Sequence, residues 1–155
     1  MTTPLDSRPG APADIDPRGP RFAAAVTSVV LAASLVLGPA AGLPLLALQA
    51  LVFALGAAAL PLQPYGWFFR RVVRPRLAAP TRLEDPRPPR FAQSVGLAFA
   101  LTGVLGALLG ADPVFHVAAG FALVAALLNA LFDVCLGCEL YLLGHRTRAR
   151  LRVAS

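Results

Sequence analysis

The residues best suited to chemistry lie close together near the end of the last apolar segment. Cys135 and Cys138 are the only cysteines of the chain and are spaced as C-x-x-C, with Asp133 before them and Glu139 after them. Two thiols at this spacing on a helix can close a disulfide, and a neighbouring carboxylate can carry a proton. The candidate catalytic residues are therefore Cys135, Cys138, Glu139 and Asp133, acting as a redox or sulfur relay.

The apolar periodicity places this pair toward the carboxyl end of a long helix over about 112–143. The helix dipole and the Glu139 carboxylate there both disfavour the thiolate, which is the reactive form of cysteine. Arg70 or Arg71 would reverse this effect if either came close. The sequence alone leaves redox chemistry and inert, buried thiols equally open.

A metal site is a weaker alternative for the same residues. Two thiolates with Asp133, Glu139 or His145 would supply enough ligands for zinc, but one C-x-x-C without a second pair is a poor zinc signature. No Gly-rich phosphate loop and no Ser/His/Asp spacing is present. The sequence predicts neither a resident metal nor a cofactor, and it leaves open whether the chain is an enzyme.

The composition decides which kind of protein holds these residues. Hydrophobic residues make up 57% of the chain, charged residues 14%, and the mean hydropathy is +0.67, against roughly 45–50% and about 25% in soluble domains. Residues 22–62 carry no charge, and residues 91–132 carry only Asp112. Each block has room for two spans of about 20 residues, the length that a bilayer requires. The pattern indicates an integral membrane protein and excludes a water-soluble globule.

A duplicated motif divides the chain into two similar halves. Residues 16–23 read DPRGPRFA and residues 85–92 read DPRPPRFA, identical at seven of eight positions. Each motif precedes one apolar block, so both blocks enter the membrane from the same side. We predict an all-α fold, an integral membrane four-helix bundle built from two parallel-repeated helical hairpins, with helices over about 22–38, 43–62, 91–110 and 112–143. Small residues at four-residue spacing would pack these helices together or form a homodimer seam.

Arginine placement predicts the orientation. The chain has fourteen basic residues, all arginine, and none lies inside an apolar block. Arginines that flank spans favour the cytoplasmic side and need no nucleic acid partner to explain them. We expect a multi-pass protein of the bacterial plasma membrane with both termini in the cytoplasm. Its segments are a disordered cytoplasmic tail (1–20), a first transmembrane hairpin (21–62), a cytoplasmic Arg/Pro-rich loop (63–90), a second transmembrane hairpin (91–144) and a cytoplasmic basic tail (145–155).

Three motifs together resemble one bacterial membrane family. They are IDPRGPRF at 15–22, PPRFAQ at 88–93 and NALFDVCLGCELY at 129–141, and they look like the family named domain of unknown function 4395. The resemblance implies a small membrane protein, often encoded beside thioredoxin-like or rhodanese-type sulfurtransferase proteins. It also identifies Cys135, Cys138 and Glu139 as motif positions.

Two functional hypotheses follow. In the first, the chain is a membrane dithiol that exchanges disulfide or sulfane sulfur with a thioredoxin-like or sulfurtransferase protein. In the second, it is a non-catalytic scaffold that recruits a soluble partner through its basic loop and tails. A small solute carrier is a third and weaker idea, because Asn129 and Asp133 are the only strongly polar pair expected deep in a span.

Overall fold

The structure is a computed structural model that describes residues 14–153. This part of the chain is helical, and its only β-type pairing is an isolated bridge between Ile15 and Glu84. The predicted all-α class is confirmed. A π-helical turn (Phe69–Val73) and a 3-10 turn (Arg74–Arg76) accompany five α-helices, namely α1 (Arg18–Ala57), α2 (Pro64–Phe68), α3 (Arg87–Leu108), α4 (Asp112–Phe132) and α5 (Leu136–Val153).

The long helix α1 folds back on itself at Gly38. This residue has φ 74° and ψ 178°, a combination that is essentially restricted to glycine. The Ser34 hydroxyl donates to the Gly42 carbonyl at 2.8 Å, and the Gln49 side-chain amide donates to the Thr27 hydroxyl at 3.3 Å. In each pair the two residues are equally far from Gly38 along the chain, so residues 18–37 and 39–57 run antiparallel. The two helices predicted in the first apolar block are the two limbs of α1.

Within residues 14–153, three helices are long and apolar enough to cross a membrane, namely α1, α3 and α4. Their outward surfaces carry large apolar side chains, among them Val36 at 87% exposure and Phe121 at 61%. Exposing so much apolar surface to water is energetically unfavourable, whereas contact with lipid acyl chains is not. These are the features of a multi-pass membrane protein.

The core between these helices combines a few large side chains with small ones. Leu31, Leu46 and Phe115 are fully buried, together with Ala100 and Ala119. Two of the small residues predicted to mediate helix packing do so within the chain. Gly96 lies against the ring of Phe53, and Gly106 lies against Val114 and the backbone of Phe115.

The predicted fourth helix is interrupted, which corrects its expected course to residue 143. Helix α4 ends at Phe132, Asp133 takes a left-handed conformation with φ 59°, and α5 begins at Leu136. Arg21 donates to the carbonyls of Ala130 and Leu131 at 3.0 and 3.3 Å, so two carbonyl groups exposed by the break have partners. Apolar periodicity continues across the break and gives no sign of it.

The segments outside the apolar blocks are more ordered than the sequence indicates. Most of the amino-terminal tail predicted over residues 1–20 falls on residues 1–13, which lie outside the described residues. Residues 154–155, at the end of the predicted basic tail, also lie outside them. Residues 14–20 pair through Ile15 and begin α1, and the predicted basic tail continues α5 as far as Val153. The loop over 63–90 is anchored by Phe69, which is 3% exposed and lies 5.8 Å from Phe22, ring centre to ring centre.

Candidate functional site

The two cysteines are joined as a disulfide in the short link between α4 and α5. Their Cα atoms are 5.2 Å apart, which is within the range that the bond requires. Cys135 directly precedes α5, and Cys138 lies in its first turn. The expectation that the pair lies toward the carboxyl end of a helix is wrong. Because α4 ends three residues earlier, the pair occupies a helix amino terminus.

Cys135 behaves as the amino-terminal cap of α5. The backbone N–H of Cys138 donates to the Cys135 sulfur at 3.3 Å, and the N–H of Glu139 donates to the Cys135 carbonyl at 3.0 Å. A sulfur at this position lies at the positive end of the helix dipole, with an amide hydrogen directed at it. The helix end that faces the Cys135 sulfur is therefore opposite to the one expected from the sequence.

The amino terminus of α5 is held on α3 by a close contact. Gly137, between the two cysteines, is buried against Ala92, and a Cβ atom at Gly137 would lie 2.5 Å from the Ala92 Cα atom. One turn further along α5, the ring of Tyr141 lies 5.8 Å from that of Phe91. Gly137 and Tyr141 thus hold the pair beside the second turn of α3.

The two candidate carboxylates occupy different surroundings. Asp133 is half exposed and pairs with Arg82 at 3.7 Å, and Arg82 also pairs with Glu84 at 3.1 Å. Glu139 lies in the first turn of α5 and is exposed, where a negative charge complements the helix dipole. Asp133 therefore links the site to the 63–90 loop, while Glu139 faces solvent or headgroups.

The alternative zinc ligands do not converge. Within residues 14–153, no three His, Cys, Asp or Glu side chains are placed to hold a metal ion. His145 stacks on Tyr141, with ring centres 4.6 Å apart. The arginine that pairs with Asp133 is Arg82, and not Arg70 or Arg71, which the sequence suggested as neighbours of the cysteines. Arg70 instead donates to the Pro61 carbonyl at 3.3 Å.

Sequence reasoning missed the arginines that organise this end of the molecule. A cavity of about 340 Å³ lies beside Asp133, and its wall includes Asp16, Arg18, Arg21 and Arg82. Hydrogen bonds from the Arg18 side chain lower the pKa of Asp16 below its usual value of 3.8. The DPR sequence, which contains Asp16 and Arg18 and occurs again at residues 85–87, was the available signal.

Comparisons with known proteins identify the family but not an activity. No curated protein and no solved structure matches this chain. The family described as "Domain of unknown function (DUF4395)" matches residues 15–146, which include the cysteine pair and all three motifs. The chain belongs to the DUF4395 family.

Proposed function

We propose that this protein is a membrane dithiol that exchanges a disulfide or sulfane sulfur with a soluble thioredoxin-like or sulfurtransferase protein. One observation carries the proposal, which is that the Cys135 sulfur caps α5 and accepts the Cys138 N–H at 3.3 Å. Reactive dithiols gain thiolate at a helix amino terminus, whereas thiols buried among apolar side chains stay protonated. Both cysteines are partly exposed, so a partner thiol has access to them.

In this proposal the two cysteines have different roles. A thiolate of a reduced partner attacks the Cys135 sulfur, the Cys135–Cys138 bond breaks, and Cys138 leaves as a thiolate and is protonated. The second partner thiol then attacks the partner sulfur of this mixed disulfide and releases Cys135 as a thiolate. The partner is oxidised by two electrons, and the pair is reduced by two. In sulfur transfer, the reduced Cys135 thiolate takes the outer sulfur of a partner persulfide and releases the partner thiol.

We infer that the scaffold for this chemistry is a four-span bundle of two repeated hairpins. The antiparallel limbs of α1, together with α3 and α4, supply four segments of suitable length. Equivalent positions of the two motifs behave alike, since Asp16 accepts from the Arg18 N–H at 3.0 Å and Asp85 accepts from the Arg87 N–H at 2.8 Å. A bacterial plasma membrane location with cytoplasmic termini accords with this arrangement.

Trapping of a mixed disulfide tests the proposal. In membranes containing the Cys138→Ser variant, Cys135 should form a stable adduct with an oxidised thioredoxin-like protein or with glutathione disulfide. The Cys135→Ser variant is the matched control and should form much less adduct, because the Cys138 sulfur is not the cap of α5. Mass-tag alkylation followed by gel electrophoresis measures both. Equal trapping by the two variants would refute the assignment of roles.

The redox reaction itself needs a separate measurement. Wild-type protein in membranes should gain two mass tags after reduction and none after oxidation. A pair that takes up both tags under every condition would exclude a reversible disulfide. If a double Cys135→Ser, Cys138→Ser variant supports the wild-type phenotype, the hypothesis of a cysteine relay is excluded.

A non-catalytic scaffold is the second candidate, and the contact between Arg82 and Asp133 favours it. That contact is 3.7 Å long and joins the exposed 63–90 loop to the α4–α5 link, so the loop is presented in a fixed position. Deletion of residues 77–83 should abolish partner capture in this case, even with both cysteines intact. The dithiol proposal expects capture to depend on Cys135 instead.

A further inference from the structure

Helix α5 presents a stripe of leucines that nothing else in the described chain covers. Leu136, Leu140 and Leu143 are 42%, 56% and 62% exposed. Their spacing of four and three residues places them on one face of the helix. α5 is not among the helices apolar enough to span a bilayer, so this stripe is not explained by a transmembrane path.

A different face of α5 is already occupied. Gly137 and Tyr141 lie against Ala92 and Phe91 at the start of α3, and at 100° per residue they point away from the leucine stripe by roughly a quarter turn or more. This contact fixes the rotation of α5 about its axis. The stripe therefore cannot turn inward to the protein core.

The stripe is continuous with the lipid-facing end of α4. Leu131 and Phe132, in the last turn of α4, are 63% and 68% exposed, and Val134 in the link is 42% exposed. Leu136 follows Val134 after the half-buried Cys135. Exposed apolar side chains thus continue from the end of α4 onto α5, interrupted by the half-exposed Asp133 and by Cys135.

The charge of α5 matches an anionic surface. After the stripe come Arg146, Arg148, Arg150 and Arg152, and the only acidic residue between Leu136 and Val153 is Glu139. A helix with leucines on one face and a basic polar sequence is typical of segments that lie in the membrane interface. Arginines near such a surface bind anionic lipid headgroups.

We propose that α5 lies along the bilayer surface at the arginine-rich end of the bundle, with its leucine stripe among the upper acyl chains and Arg146 at the anionic headgroups. The Cys135–Cys138 disulfide is thereby held at headgroup level, and a soluble partner reaches it only at the membrane surface. This inference goes beyond the proposed exchange reaction, since the helix can occupy the interface whether or not the disulfide is reactive.

Tryptophan fluorescence of the full chain in lipid nanodiscs tests the position of α5. Trp67 is the only tryptophan, so a Trp67→Phe background gives a silent protein. Leu140→Trp reports from the stripe, and His145→Trp is the control, because five residues along a helix turn it about 140° away. The nanodiscs contain phosphatidylcholine and phosphatidylglycerol, with or without doxyl groups on the acyl chains.

The Leu140→Trp protein should emit at shorter wavelength than the His145→Trp protein. Its fluorescence should be strongly quenched by the doxyl lipids and only weakly by aqueous acrylamide. The His145→Trp protein should respond in the opposite way to both quenchers. Leu143→Trp is a second stripe reporter, which guards against a local folding defect. Equal acrylamide quenching at stripe and control positions, with no doxyl effect, would overturn the inference. The same readings in a Cys135→Ser, Cys138→Ser background separate this test from that of the exchange reaction.

Discussion

At Cys135, the surroundings of a sulfur depend on where one helix stops and the next begins. Had α4 continued, its dipole would have placed negative potential near the sulfur. Instead Asp133 ends α4, and the Cys138 N–H is directed at the Cys135 sulfur at 3.3 Å. Because α4 ends at Phe132, the sulfur lies at the positive end of α5.

Gly137 controls how closely that site sits on α3. A Gly137→Ala change places a methyl group 2.5 Å from the Ala92 Cα atom, and backbone cannot yield as a flexible side chain does. We expect α5 to move off α3 and the free energy of unfolding to fall by about 1–3 kcal/mol, the usual cost of overpacking. Thermal unfolding in mild detergent measures this change.

Gly144→Ala is the matched control for Gly137→Ala. Gly144 lies in the same helix with nothing within 4 Å of an added Cβ atom, so alanine should leave stability unchanged or raise it by up to about 1 kcal/mol through helix propensity. Equal stability of the two variants would show that α5 does not pack tightly on α3.

At the scale of elements, the sequence reveals some features of the fold and not others, and the difference has a physical cause. The turn at Gly38 is visible in the sequence because glycine followed by proline is a local signal. The break after Phe132 is invisible, because the hydrogen bonds that satisfy it come from Arg21, more than a hundred residues away. Hydrophobic periodicity reports burial or lipid contact, so it correctly locates the apolar segments and misses a break within one of them. The sequence singles out the four candidate site residues as a hypothesis, but it does not reveal their electrostatic surroundings.

The fold-back of α1 depends on one residue with an unusual backbone. Gly38 has φ 74° and ψ 178° with open space around it, so a Gly38→Ala change meets no neighbour and is penalised by backbone strain alone. We expect a loss of about 1–3 kcal/mol in the free energy of unfolding. Gly120→Ala in α4 is the control, since that glycine is helical and its added methyl group also meets nothing within 4 Å. If both variants unfold at the same temperature, the turn at Gly38 is not the strained point of the hairpin.

Across the whole molecule, three arginines of the amino-terminal segment and the 63–90 loop make side-chain contacts at one end. Arg18 donates to the Ala78 carbonyl at 3.0 Å, Arg21 to that of Ala130 at 3.0 Å, and Arg82 pairs with Asp133 at 3.7 Å. The amino-terminal segment, the 63–90 loop and the α4–α5 link are thus adjacent. Because Arg18, Arg21 and Arg82 lie together at this end, the positive-inside tendency acts on them in one direction.

This gathering predicts a single orientation in the membrane, with the arginine-rich end in the cytoplasm. Green fluorescent protein fused after Ser155 should fluoresce, and alkaline phosphatase fused there should be inactive, because the first folds only in the cytoplasm and the second only outside it. Alkaline phosphatase inserted at Gly110, in the turn between α3 and α4, should be active. The reverse pattern would place Cys135 and Cys138 outside the cytoplasm. Cytosolic thioredoxin-like partners would then have no access to the disulfide, and exchange would require an extracytoplasmic thiol protein.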